Sequence, residues 1–600
     1  MKDFLKGVLA SAVGSGLVLV LSAVLGAVMF ALIMMSSPSG QPAHVRVQPG
    51  TFIVIGNGMA VVDTPTHGSP TLGSLLLDGE RQPAVDLYRA LEAIDLAAKD
   101  RNVAGLLLAE GLDAGLASRS ELRKAIDAFA RNTKKPVIAW MEGPSTGQYH
   151  FLSAAKTLVM HPSGELQFSG ISAYSMYFGE GLRRLGIGVQ VTKVGKYKSA
   201  VEPLIADKMS EPARQQEQEL LDDVWGRLVA DVAKSRGMAA SELSQVAGKP
   251  GIFAAKRALE LKLVDKLLQR DELVAEILAA GGESDDNGSF RQMSLARYAG
   301  KVALPSTGPT LAVVYAEGEI VDGLGDETSV GGDRVAATLR RLRNDDEVKA
   351  VVLRVNSPGG SAFASEIIHR ELELLRKQGV PVVVSMGNLA ASGGYYIAAP
   401  GTTVMADPMT ITGSIGVFGL HFNYGELATK LSIGTDGVKT AAHADLLEPH
   451  RPATPEELAI VQTSVDEVYE QFLGVVSRGR KMERDAVHAI AQGRVWTGAR
   501  AQKIGLVDRF GGLRDAIAEA ARQAKLTEHT LRQIPGLHDD QRSLAERLLS
   551  DDEENPVFAK AQRDPVRALL KEQLRTLGNL RHLNDRRGIY LLAPLVVEAR

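Results

Sequence analysis

Phe253–Asp265 reads FAAKRALELKLVD, and Trp496–Asp508 reads WTGARAQKIGLVD. Arg-Ala and a terminal Leu-Val-Asp recur at matched positions in the two segments. Working outward, the same pairing continues at an offset of about 245 residues. DRNVAGLLLAEG (100–111) lies over DEVKAVVLRVNS (346–357), and KKPVIAWMEG (134–143) over GVPVVVSMGN (379–388), with Pro136 on Pro381 and Met141 on Met386. DDVWGRLVADVAKSRGM (222–238) lies over DEVYEQFLGVVSRGRKM (466–482). One repeat at so long a period indicates a duplicated domain, with the copies joined near GGESDDNGS (281–289).

Each copy alternates helical and strand patterns. LYRALEAIDLAAKD and RVAATLRRLRNDD carry apolar residues at helical spacing, and each precedes a short apolar run, AGLLLAE or AVVLRVN. A second helix pattern and a second apolar run follow in each copy (PVIAWM; PVVVSM), then a third run (TLVMHP; TVMADP). Apolar runs of this length separated by helices predict an α/β fold with a parallel sheet in each half. The expected boundaries are 69–280 for the first half, 281–308 for a linker, 309–525 for the second half and 526–600 for a C-terminal extension. That extension is charged, with weak helical patterns. It closes on GIYLLAPLVVEAR, which reads as a strand that docks.

The 600 residues are 45% hydrophobic and 23% charged, a globular composition for more than one domain. With a formal net charge of −3 and no long Lys/Arg run, a nucleic-acid partner is not expected. The absence of cysteine excludes disulfides, thiolate metal sites and a cysteine nucleophile. Residues 1–6 carry Lys2 and Lys6, and residues 7–35 carry no charge. That run is longer than a secretory apolar core and matches a membrane-spanning helix. It predicts an uncleaved anchor with residues 1–6 in the cytoplasm, the body outside, and 36–68 as a linker.

The copies differ where chemistry could reside. VNSPGGSAFASE (355–366) places Gly359 and Gly360 between a strand and a helix, where backbone N–H groups can meet an oxyanion. The first half has Ala114 and Gly115 there. TITGSIGVFG (410–419) offers Ser414 as a nucleophile; anchored on Pro162 and Pro408 its counterpart is Phe168, and a one-residue slip puts Ser169 there instead. In LGIGVQVTKVGKYKSAVEP (185–203), Lys193 faces Lys439 in the second half, but Lys198 faces Ala444. A serine kept in one half and a lysine in the other predict one site assembled from both. A lysine can act as general base if burial lowers its pKa and leaves the amine neutral. The rival nucleophile is Ser392, in AASGGYY, whose counterpart is Gly147; the rival base is His421.

GKYKSAVEP, VNSPGGSAFASE, GNLAASGGYYIAA, TGSIGVFG and the C-terminal RRGIYLLAP together resemble the signal peptide peptidase A family in its long, duplicated bacterial form. The resemblance implies two tandem crotonase/ClpP-like domains behind one transmembrane helix. It implies a Ser–Lys serine peptidase that degrades cleaved signal peptides and other apolar peptides, assembled as a homotetramer at the periplasmic face of the bacterial inner membrane. It implies no metal or cofactor. Carried onto this chain, Ser414 is the nucleophile, Lys198 the general base, and Gly359 and Gly360 the oxyanion hole. A crotonase-like acyl-CoA enzyme and an inactive membrane scaffold are the alternatives from other classes.

Overall fold

The computed structural model describes residues 45–65, 83–326, 328–534, 585 and 588–594. The expected anchor, residues 7–35, and the helical patterns of 540–585, Asp585 apart, lie outside the described residues. Among the described residues, no helix is long and apolar enough to cross a membrane.

In the first half, strands β1 (Thr51–Ile55), β2 (Val103–Ala109), β3 (Val137–Met141) and β4 (Thr157–Met160) form a parallel sheet in the order β4-β3-β2-β1. Helices α1 (Leu87–Lys99), α2 (Leu116–Asn132) and α3 (Thr146–Leu152) connect them. Asp86 caps α1 by accepting the Arg89 N–H, and Ser145 and Gln148 form a capping box on α3. Strand β5 (Gly188–Val194) and the long helix α4 (Glu211–Arg236) follow.

The second half repeats the plan. Strands β6 (Thr310–Glu317), β7 (Val348–Ser357), β9 (Val382–Ala391) and β10 (Thr403–Ala406) pair in parallel in the matching order, β10-β9-β7-β6. Between and after them lie β8 (Gly359–Ser361), β11 (Ile411–Gly413) and β12 (Val417–Asn423), with helices α5 (Gly332–Arg343), α6 (Ala362–Lys377), α7 (Gly393–Ala398), α8 (Pro455–Arg480) and α9 (Leu513–Gln523). The architecture is a duplicated α/β domain, as the repeat predicted. Alternation along the central strands explains why their apolar runs are unbroken. Leu311, Val313, Ala350 and Val352 pack on one face with Leu513 and Ile517 of α9. Ala312, Val314, Val351 and Leu353 pack on the other with Leu339 of α5 and Leu372 of α6. A parallel sheet covered on both faces needs such runs.

The folded body is drawn wider than the expected boundaries. Strand β1 lies inside the expected linker 36–68, and Gln292–Ser294, inside the linker 281–308, pairs beside it. Thr530–Ile534, from the expected extension, pairs with β6. Each is a short apolar or mixed run that the helix-to-strand alternation does not reach, yet each supplies a sheet edge with its missing partner.

A third sheet joins the copies. Strands β5 and β12 pair antiparallel over their whole length, from Gly188↔Asn423 to Val194↔Val417. The last strand, β13 (Ile589–Leu592), lies between β12 and β8. A buried charge cluster adds to the join. Arg354 of β7, fully buried, donates to Asp63 Oδ1 at 2.7 and 2.9 Å, to Ser385 Oγ at 2.8 Å and to Glu121 Oε1 of α2 at 3.4 Å. Lys124 and Ser120, also of α2, reach Asp407 Oδ2 at 2.8 Å.

Candidate active site

The β5–β12 ladder ends at Val194 and Val417. Because the strands run antiparallel, the chain leaving Val194 and the chain arriving at Val417 meet at one end of the ladder. Lys198 lies four residues beyond the first, and Ser414 three residues before the second. The Lys198 Nζ is 3.1 Å from Ser414 Oγ and 3.1 Å from the Ser414 carbonyl oxygen. It is also 2.7 Å from Ser392 Oγ. The two serines are brought together by a second register. In the parallel pair β9–β11, Ala391 is the partner of Gly413. Ser392 and Ser414 are each the next residue, and the Ser392 N–H donates to the Gly413 carbonyl at 2.8 Å.

Both serines have left-handed backbone, φ 56° at Ser392 and 52° at Ser414. A side chain costs energy there, and such positions cluster at functional sites. Ser392 is the turn between β9 and α7, a strand-to-helix corner of the kind that thrusts a nucleophile out of a sheet.

All three side chains are fully buried. The Lys198 stem passes two glycines: a Cβ on Gly493 would lie 2.7 Å from Lys198 Cβ, and one on Gly416 3.3 Å from its Cδ. Burial alone holds the Lys198 amine well below the ordinary lysine pKa. Among the described residues, no carboxylate bonds to that amine, so no counter-charge offsets the burial and the shift is toward the neutral form.

Gly359 and Gly360 have φ of 99° and 152°. They lie against the start of α7: a Cβ on Gly393 would stand 3.1 Å from Gly359 Cα and 3.2 Å from the Gly360 nitrogen. Gly393 is the residue after Ser392. The expected oxyanion glycines thus sit beside Ser392. The Gly359 N–H donates to Ser357 Oγ at 3.2 Å.

Other candidates fall elsewhere. His421 stands within β12 opposite Gln190, and no hydrogen bond links it to either serine among the described residues. Lys193 and Lys439 are exposed, Lys439 on Asp445 at 2.9 Å. Phe168 is buried between Tyr149 and Trp225, at ring-centroid distances of 5.4 and 5.1 Å. The arrangement unites an amine that burial biases toward its neutral form, two alcohols and a glycine turn beside one of them, groups of the kinds that acyl transfer uses.

Residues 129–281 and 374–527 match the model of Peptidase family S49, once on each half, and residues 320–411 match a Clp protease model. The chain is 36% identical over 513 residues to Protease 4 of Salmonella typhi, across 81% of this chain and 82% of that protein. It is 35% identical over 538 residues to Protease 4 of Haemophilus influenzae, covering 86% of each. A chloroplastic serine protease SPPA of Arabidopsis thaliana is 30% identical over 440 residues, across 72% of this chain and 64% of that protein.

Proposed function

This chain belongs to peptidase family S49 and is a serine peptidase acting on peptides; from that premise we propose that it cleaves apolar peptides through a Ser–Lys dyad built from both halves. Lys198 is the general base. The observation that carries the reading is its buried amine, bonded to no carboxylate among the described residues, 2.7 Å from Ser392 Oγ and 3.1 Å from Ser414 Oγ.

The attacking hydroxyl is that of Ser392 rather than the Ser414 expected from sequence. Three things support this choice: the shorter contact to the amine, the strand-to-helix corner, and the nearness of Gly359 and Gly360 to Gly393. Lys198 takes the Ser392 proton as Oγ adds to the peptide carbonyl. The oxyanion develops toward the backbone N–H groups of the glycine turn, and the Gly359 N–H leaves Ser357 to meet it. The lysine returns the proton to the leaving amine, and water repeats the attack on the ester. Ser414 holds the amine through its hydroxyl and carbonyl oxygens. The second reading, Ser414 as nucleophile, draws on its own 3.1 Å contact to Lys198.

The domains are crotonase/ClpP-like in this reading, and the Clp protease match over 320–411 supports it. Residues 7–35 anchor the chain in the bacterial inner membrane, with the body in the periplasm as a homotetramer. The charge-free run and the exposed Tyr174, Met176, Leu431 and Val438 support these parts of the reading. Cleaved signal peptides are then the substrates at hand. Labelling with a fluorophosphonate, followed by peptide mapping, tests the assignment. The adduct is expected on Ser392 and is lost in Lys198→Ala; an adduct on Ser414 transfers the role, and none on either serine sinks the dyad.

A further inference from the structure

The place where a substrate backbone would lie beside the glycine turn is taken by the chain itself. Strand β13 pairs antiparallel with β8, Gly359↔Leu592, Gly360↔Leu591 and Ser361↔Tyr590. Its other edge pairs with β12, Phe418↔Tyr590 and Gly419↔Ile589. Beyond it the Ala593 N–H donates to the Pro358 carbonyl at 2.8 Å. The Leu591 carbonyl is so close to Gly359 that no side chain fits there.

The side chains of this segment alternate as a bound peptide's would. Tyr590 packs with Phe418 and Val201, and Leu592 packs against the same cluster. On the opposite side Ala593 packs with Ala391, the residue before Ser392. Pro594 lines a small cavity with Ser199 and Ala200, the residues after Lys198. The segment therefore passes the dyad with a large residue, a small one and a proline in sequence. GIYLLAP is also uncharged and apolar, the chemistry of the peptides assigned above as substrates.

One side chain moors it. The Asp585 carboxylate accepts the Ser361 hydroxyl at 2.7 Å, the Phe363 N–H at 3.1 Å and the Ile589 N–H at 3.2 Å. Strand β13 is thereby fastened to the start of α6, the helix that follows the glycine turn.

We propose that residues 588–594 are an intramolecular stand-in for substrate: the peptidase rests with its groove filled by its own C-terminal strand, and a peptide enters by displacing it. This rests on the dyad reading above. A tethered occupant competes at high effective concentration, and a substrate's apparent affinity falls by the fraction of molecules whose groove is open.

The test uses the full chain with Asp585→Ala and, separately, Leu592→Asp, assayed on a short uncharged fluorogenic peptide. If the groove is filled about nine-tenths of the time, kcat/KM rises about tenfold in both variants, mainly through KM. Synthetic GIYLLAP inhibits the variants competitively, at about a tenth of the concentration the parent needs. Unchanged or lower kcat/KM in variants that keep the parent's melting temperature, or a GIYLLAP peptide that does not compete, overturns the proposal and leaves β13 a structural strand. Should the variants fail to fold, hydrogen exchange on the parent decides. A peptidyl phosphonate bound at the serine strips protection from the amides of 589–592 if the strand is displaced; undiminished protection overturns the proposal. Absence of hydrolysis by the parent and both variants would instead overturn the dyad.

Discussion

After β2, the first half turns through Gly115 into α2; after β7, the second turns through Gly359 and Gly360 into α6. At the first turn the Asn388 side chain, from the other copy, accepts the Ala117 and Ser118 N–H groups at 2.9 and 3.2 Å and fills the space a Cβ on Gly115 would need. At the second, the glycines face Gly393 and β13. The counterpart of Ser392 is Gly147, whose carbonyl accepts from the buried Arg119 at 2.8 Å. The counterpart of Ser414 is the packed Phe168. In the front copy the corresponding turn is packed as an interface, while its Lys198 reaches Ser392 and Ser414 of the rear copy. A duplicated fold can part with a site while keeping its framework, provided the vacated space is filled.

The comparison breaks most sharply at the lysine. Lys198→Met is expected to lower kcat by about 10⁴-fold or more, as loss of one member of a catalytic set does, whereas Lys193→Ala leaves the rate unchanged. The same variant reads out the burial. An amine whose pKa is depressed on folding binds fewer protons folded than unfolded, so it costs more stability as pH falls below about 10.4. Lys198→Met should melt higher than the parent, with a gain at pH 7 that shrinks toward pH 10. The parent's activity should fall on the acid side, as the amine takes up a proton.

The join between the halves comes next. Arg354→Met leaves Asp63 and Glu121 buried without their cation and is expected to cost about 3–5 kcal/mol in urea unfolding. Ser414→Ala divides the two alcohols. If Ser414 only positions the amine, kcat falls about 10–100-fold and the acid limb of the pH profile moves, while Ser392→Ala is as inactive as the lysine variant. Equal and complete loss in Ser414→Ala alone, with Ser392→Ala active, would reverse the roles. The smallest effect is at the plugged turn. Asn388→Ala removes a helix cap and should cost about 1 kcal/mol of stability with kcat unchanged.

Much of this was legible before the structure. Runs such as AVVLRVN and VVVSM, set against amphipathic helices, gave the parallel sheets, because strands buried on both faces leave a distinct pattern. Lys198 stood out as a candidate because its counterpart is Ala444. The choice between the serines was not. Both lack a serine counterpart in the first half, so comparing the copies cannot rank them. In the reading proposed above, what ranks them is the shorter contact of Lys198 to Ser392 and the approach of Gly359 to Gly393, both long-range contacts. For the same reason the closing GIYLLAP could be read as a strand, but its neighbours β8 and β12 could not be named.

The antiparallel ladder Gly188–Val194 with Val417–Asn423 has a bearing on how the molecule comes into being. In the dyad proposed above, a ribosome releases the amine long before the alcohols, so a half-made chain carries a base with nothing to activate. Competence arises only when residues past 423 have emerged and zipped onto a strand made more than two hundred residues earlier. Fragments from synthesis stalled before Ser392 then hold the base without either alcohol, a safeguard that lies in the order of the chain.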